Sequence, residues 1–168
     1  MRVLGLVRGL GLPDCWVGAG FVRNAVWDWL DGRGTGKPSG DVDVIWRDPL
    51  RADRGEDARL EERLFSLDAS VPWSVKNQSR MHARNGDAPY ESCEEALRHW
   101  PETATAVAVR AGAGASIELL APFGLEDLFG GVIRPTPRFA HDERHVFDAR
   151  WREKGWLREW PFLRVVAD

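Results

Sequence analysis

Cysteine is scarce in this 168-residue chain: Cys15 and Cys93 lie far apart and form no CxxC pair. That excludes a disulfide framework and suits a reduced, cytoplasmic protein with incidental thiols. Long apolar runs are missing too. None approaches the roughly 18 residues of a membrane span, and Arg8 interrupts the opening Met1-Arg2-Val3-Leu4-Gly5-Leu6-Val7 too early for a secretory signal. Nor is there an excess of one charge: the formal net charge is -3, with both signs scattered along the chain. An extended nucleic-acid backbone calls for a basic stripe, so no such footprint is expected. Tyrosine occurs once against nine tryptophans, most of them assigned to core and pocket packing.

What is there reads as one mixed domain spanning residues 1–168, long enough for a real core without disulfides. Helical spacing of apolar residues predicts helices over 1–11, 21–30 and 53–67, with a shorter one over 94–100 stopped by Pro101. Strands are predicted over 15–18, 41–46 and 73–77. Two β-like runs over 105–110 and 116–120 flank Gly112-Ala113-Gly114 as a hairpin. Residues 31–40 read as a flexible Gly-rich loop and 79–92 as an irregular polar stretch. A helical turn over 124–129, an extended pair at 132–133 and a final helix over 141–160 complete an α/β or α+β order.

The chemistry concentrates in two places. Gly18-Ala19-Gly20-Phe21-Val22-Arg23-Asn24 reads as a strand ending in small residues, followed by a helix. Phosphates approach backbone N–H groups at such a turn, and Arg23 in the first helical turn adds a guanidinium fork. Asp41-Val42-Asp43-Val44-Ile45 then sets two carboxylates at i and i+2, on one face of a strand. Two like charges so close are unfavourable without a cation between them. Mg²⁺ takes such hard oxygen ligands and completes its shell with water and substrate phosphates, and Mn²⁺ can stand in for it.

A third carboxylate lets two ions about 4 Å apart clamp the attacking and leaving oxygens. Glu118, set in the apolar run Ser116-Ile117-Glu118-Leu119-Leu120, is the candidate. In Lys76-Asn77-Gln78-Ser79-Arg80-Met81-His82, the donors Lys76, Asn77 and Arg80 are candidates for a triphosphate or an acceptor. His82 has the pKa range of a general base, but a two-metal site activates a hydroxyl without one. Glu102-Thr103 reads as a cap. The last helix carries Trp151, Trp156 and Trp160 among Arg150, Arg152, Lys154 and Arg158, and its basic side chains read as snorkelling from a docked amphipathic face.

The glycine turn, Val22-Arg23, and the Asp41-Val42-Asp43 strand together resemble the head of the polymerase-beta-type nucleotidyltransferase superfamily, especially as seen in tRNA nucleotidyltransferases. Closer still, four blocks are similar to a bacterial family of nucleotidyltransferase-like proteins. They run from Gly18 to Asp28, from Asn77 to His82, from Trp100 to Thr103 and from Ala121 to Phe129. The resemblance implies a twisted mixed sheet flanked by helices, Asp41 and Asp43 as metal ligands, and Glu118 as the third catalytic carboxylate. Three departures stand out: Ala19 replaces a usual glycine, Asn24 an acid, and the loop to Asp41 is long. Without the large helical region that follows in the tRNA enzymes, tRNA is not named as substrate.

The function expected is therefore transfer of a nucleoside monophosphate from an NTP to an acceptor hydroxyl on RNA, protein or a small molecule. Gly18, Ala19, Gly20, Arg23, Lys76, Asn77 and Arg80 would bind the nucleotide. The alternatives are a nucleotide sensor on the same fold and a toxin–antitoxin-type partner protein.

Overall fold

Alternation along the predicted strands builds a sheet with both faces covered. Val42, Val44 and Trp46 are fully buried on one face, while Ile45 is buried and Asp43 half-buried on the other. The structure, a computed structural model, describes residues 1–34 and 40–166. Half of the predicted 31–40 loop, residues 35–39, therefore lies outside the described residues.

The elements run α1 (Arg2–Arg8), β1 (Trp16–Gly18), α2 (Gly20–Leu30), β2 (Val42–Trp46), α3 (Arg54–Leu67) and β3 (Trp73–Asn77). Then come α4 (Met81–Asn85), α5 (Cys93–Arg98), β4 (Ala108–Ala111), β5 (Ile117–Leu120) and α6 (Glu126–Phe129). The chain closes with β6 (Val132–Ile133), α7 (Pro137–Ala140), α8 (Arg144–Glu153), α9 (Trp156–Glu159) and β7 (Arg164–Val165). Five strands form a mixed sheet in the order β3-β2-β1-β4-β5, parallel between β2 and β3 and antiparallel elsewhere. Strands β6 and β7 make a separate parallel pair.

Three apolar clusters hold these layers. Val3, Leu4 and Val7 of α1 and Leu60 and Leu64 of α3 cover one face of the sheet. Trp16, Ile45 and Ala108 meet Cys93 and Leu97 of α5 on the other. The third cluster lies beyond the sheet, where Trp27 of α2 packs with Leu128, Ile133, Phe147, Trp156 and Trp160. Trp27 makes edge-on ring contacts with Trp156 at 5.7 Å and Trp160 at 5.3 Å, a geometry that aromatic quadrupoles favour. Capping side chains start the helices where sequence places them: Asp53 accepts from the Gly55 N–H, and Ser92 from the Glu95 N–H.

Three expectations change. The final helix over 141–160 is two helices, broken at Gly155, whose φ of 65° is left-handed and natural only to glycine. The stretch 79–92 holds a 3₁₀ turn and α4 rather than irregular chain. The strand predicted from 105 begins at Ala108, because the N–H groups of Thr105 and Ala106 turn back to the Glu102 carbonyl. Among the described residues no helix is long and apolar enough to cross a membrane.

Candidate active site

The site begins where β1 ends. Gly18 pairs with Asp43 on β2, so the turn and the acid strand face each other in register. A Cβ on Gly18 would lie 3.1 Å from the Trp100 ring, so the strand end needs glycine to let that ring close over it. Ala19 follows at φ 47° and ψ -121°, a backbone region where an L side chain is strained. Its N–H donates to the Val107 carbonyl, and its own carbonyl accepts from the Val22 and Arg23 N–H groups as α2 starts. The strained residue is thus held from both sides, with the helix N-terminus, favourable to anions, directly after it.

Asp41, just before β2, and Asp43 within it line one cleft of about 230 Å³ together with Gly20 and Arg150. Burial pushes the Asp43 carboxyl above its ordinary range and Asp41 adds repulsion; a hydrogen bond from Ser74 and the charges of Lys76 and Arg150 pull the other way. Two carboxylates at the edge of one cleft are a hard oxygen donor set of the kind that suits a divalent cation. Among the described residues, no group of three or more His, Cys, Asp or Glu side chains is placed to hold a metal.

The other expected residues divide. Gly18, Ala19 and Gly20 form the turn as read. Arg23 borders the cleft but is only 7% exposed. It donates through Nε and Nη2 to Asn24 Oδ1 and stacks on Trp27 and Trp156. Burial pushes its pKa down to about 10, against the pull of Glu102. Lys76 is exposed and lines a second cleft with Asp43.

Asn77 is wholly buried and used in folding: its side chain accepts from the Ser79 and Asp48 N–H groups and donates to the Asp48 and Arg51 carbonyls. Arg80 pairs with buried Asp57. Glu118 does not join Asp41 and Asp43. It lies on edge strand β5, bound by Arg110 of β4. The residue in register with Asp43 across the sheet is Leu120, three strands or about 14 Å away, with Glu118 a further two positions along. An acid in an apolar run marks a buried site only when the strand is internal, and β5 is an edge.

Two residues that pattern reading left aside sit where the chemistry is. The second cleft, about 510 Å³, is bordered by Lys76, Tyr90, His99 and Arg138. Ala19, Asp43 and Arg150 line both clefts. Behind Arg150 stands Glu102, wholly buried, with Arg150 Nε 2.9 Å from Oε1 and Thr105 Oγ1 donating to Oε2 at 2.7 Å. Glu102 is a lone carboxylate at the head of the run of small residues Thr103-Ala104-Thr105-Ala106-Val107, which is the signal that could have found it.

A family profile described as nucleotidyltransferase matches residues 5–165. No curated protein matches the sequence significantly. An NMR structure described as revealing a CCA-adding enzyme head domain superposes with a TM-score of 0.89 at 34% identity, over 100% of this chain and 89% of that one. A CCA-adding enzyme in complex with CTP gives 0.56 at 18% identity, over 98% of this chain and 39% of its own. The Thermotoga maritima CCA-adding enzyme complexed with tRNA gives 0.54 at 17%, over 98% and 38%. The chain spans well under half the length of these last two enzymes, and the likeness to them is one of fold.

Proposed function

Because this chain belongs to the nucleotidyltransferase family, we propose that it transfers a nucleoside monophosphate from an NTP to an acceptor hydroxyl, in a Mg²⁺-dependent reaction beside Asp43. The observation that carries this reading is the register of the Gly18–Gly20 turn against Asp43, with Asp41 and Asp43 bordering one cleft. Asp41 and Asp43 would hold Mg²⁺ or Mn²⁺, which when bound neutralises phosphate charge and makes the acceptor hydroxyl more acidic. The chain's own groups position the reactants. The small residues of the turn admit phosphate close to the backbone, and the first turn of α2 favours its charge. The acceptor oxygen bonds to the α-phosphorus while the bond from that phosphorus to the bridging oxygen breaks. Pyrophosphate leaves with the electron pair, and the hydroxyl proton passes to water. The second cleft, sharing Asp43 and edged by Lys76, would receive the acceptor.

Calorimetry with the four NTPs, with and without Mg²⁺, followed by a pyrophosphate-release assay with candidate acceptors, tests the reading. Asp43→Asn is expected to abolish Mg²⁺-dependent release while the fold survives. Full release by that variant would overturn the assignment. A second reading, binding without transfer, is favoured by the engagement of Glu118 with Arg110 away from Asp43. NTP binding with no pyrophosphate from any acceptor would support it. A cytoplasmic location fits both readings.

A further inference from the structure

The helix read as a packing element carries a cation that faces the site, with Lys154 just after it on the first cleft. Arg150, at the C-terminal end of α8, shares both clefts with Asp43. Its Nε is taken by Glu102, while Nη1 and Nη2 have no hydrogen-bond acceptor among the described residues. Glu102 is wholly buried, and its carboxylate has Arg150 and Thr105 as its partners. A buried carboxylate is unfavourable unless a charge answers it, so Glu102 fixes the near edge of the guanidinium and turns the far edge outward. The Arg150 side chain remains 36% exposed, against 7% for the residue Arg23. Arg23 gives Nε and Nη2 to Asn24 Oδ1 and lies 4.4 Å over the Trp156 ring, which Arg150 meets only at 5.9 Å.

We propose that Arg150, and not Arg23, is the guanidinium that binds the phosphate chain beside Asp43, and that Glu102 is the positioning residue that aims it. The proposal rests on the nucleotide reading of the cleft and adds to it the residue that answers the phosphates. Two free Nη groups in a fixed plane suit paired phosphate oxygens, which a single ammonium cannot match while also reaching Glu102.

The test is calorimetry on the full chain with Mg²⁺ and, as a base-free probe, inorganic tripolyphosphate, repeated with each NTP. Arg150→Gln should weaken tripolyphosphate and NTP alike, by about tenfold or more. Arg150→Lys keeps the charge and should also bind several-fold more weakly than the wild type. Glu102→Gln should weaken binding by less than Arg150→Gln does. The double variant strands no buried charge, so it should fold, and it should bind no worse than Arg150→Gln alone. That non-additivity is the mark of a residue acting through Arg150, since independent losses would add. Arg152→Gln, which removes the same charge from the same helix outside both clefts, is expected to bind as the wild type does. A folded Arg150→Gln or double variant with wild-type affinity would overturn the proposal and leave the nucleotide reading standing. Failure of the wild type to bind tripolyphosphate or any NTP would overturn both.

Discussion

Ala19 holds a conformation that glycine adopts freely and alanine does not, with φ at 47°. Its strain is maintained by the hydrogen bond to Val107 and by the start of α2. Ala19→Gly is therefore expected to stabilise the protein by about 1 kcal/mol, read from urea or thermal unfolding. Asp43 stores a second local cost. Its carboxyl titrates above the ordinary range, mainly through burial, so the folded state keeps its proton to higher pH than the unfolded chain does. Stability falls as pH rises from the unfolded value through the folded one and stays lower above it. In metal-free buffer Asp43→Asn should accordingly melt higher than the wild type at pH 7. The gain should vanish below pH ~4, where both states hold the proton.

At the scale of elements, α9 is anchored by two rings. Trp156 and Trp160 meet Trp27 edge-on, and the Trp160 indole N–H donates to Asp28 at 2.9 Å. Trp156→Ala should cost about 3–5 kcal/mol in unfolding free energy and should also remove one of the two rings on which Arg23 stacks. Most elements were legible from sequence, because Trp73–Asn77, Gly20–Leu30 and Arg54–Leu67 carry clean periods of 2 or 3.6. The head-domain fold expected from the glycine turn and the Asp-Val-Asp strand is the one observed. The break at Gly155 was not legible, since the helical period continues across it in the tryptophans and only the backbone torsion interrupts it. Asn77, Arg80 and Glu118 looked available because sequence shows donors and acids but not their partners. Asp48, Asp57 and Arg110 engage them through tertiary contacts. Glu102 and Arg150 were read as a cap and a snorkelling base for the same reason in reverse: 48 positions separate two residues whose meaning lies in their pairing.

For the whole molecule, the second cleft's wall is tied together by Asp87. Its carboxylate accepts from the Tyr90 hydroxyl, pairs with Arg138 of α7 and lies 3.3 Å from His99 Nδ1, tying the stretch from Asp87 to His99 to α7, 51 positions on. Burial raises this carboxyl, but the hydrogen bonds from Tyr90 and Arg138 and the charges nearby outweigh it and hold it below the ordinary range. The stability it supplies is present above the unfolded carboxylate pKa and is lost as pH falls through the lower folded value. Asp87→Asn should lower unfolding free energy by about 2 kcal/mol at pH 7, with the two proteins converging in an acid-unfolding series once pH falls below the lowered folded value.

The bond between Trp160 and Asp28 spans 132 positions, and this has a consequence in time. A chain made from its N-terminus completes Asp41 and Asp43 early, yet one wall of their cleft and Arg150 arrive only with α8 and α9. Contacts of such sequence separation form late and slowly. During refolding, the far-UV signal of the early helices should therefore recover before the competence to bind tripolyphosphate, so that ligand capture reports the final docking step.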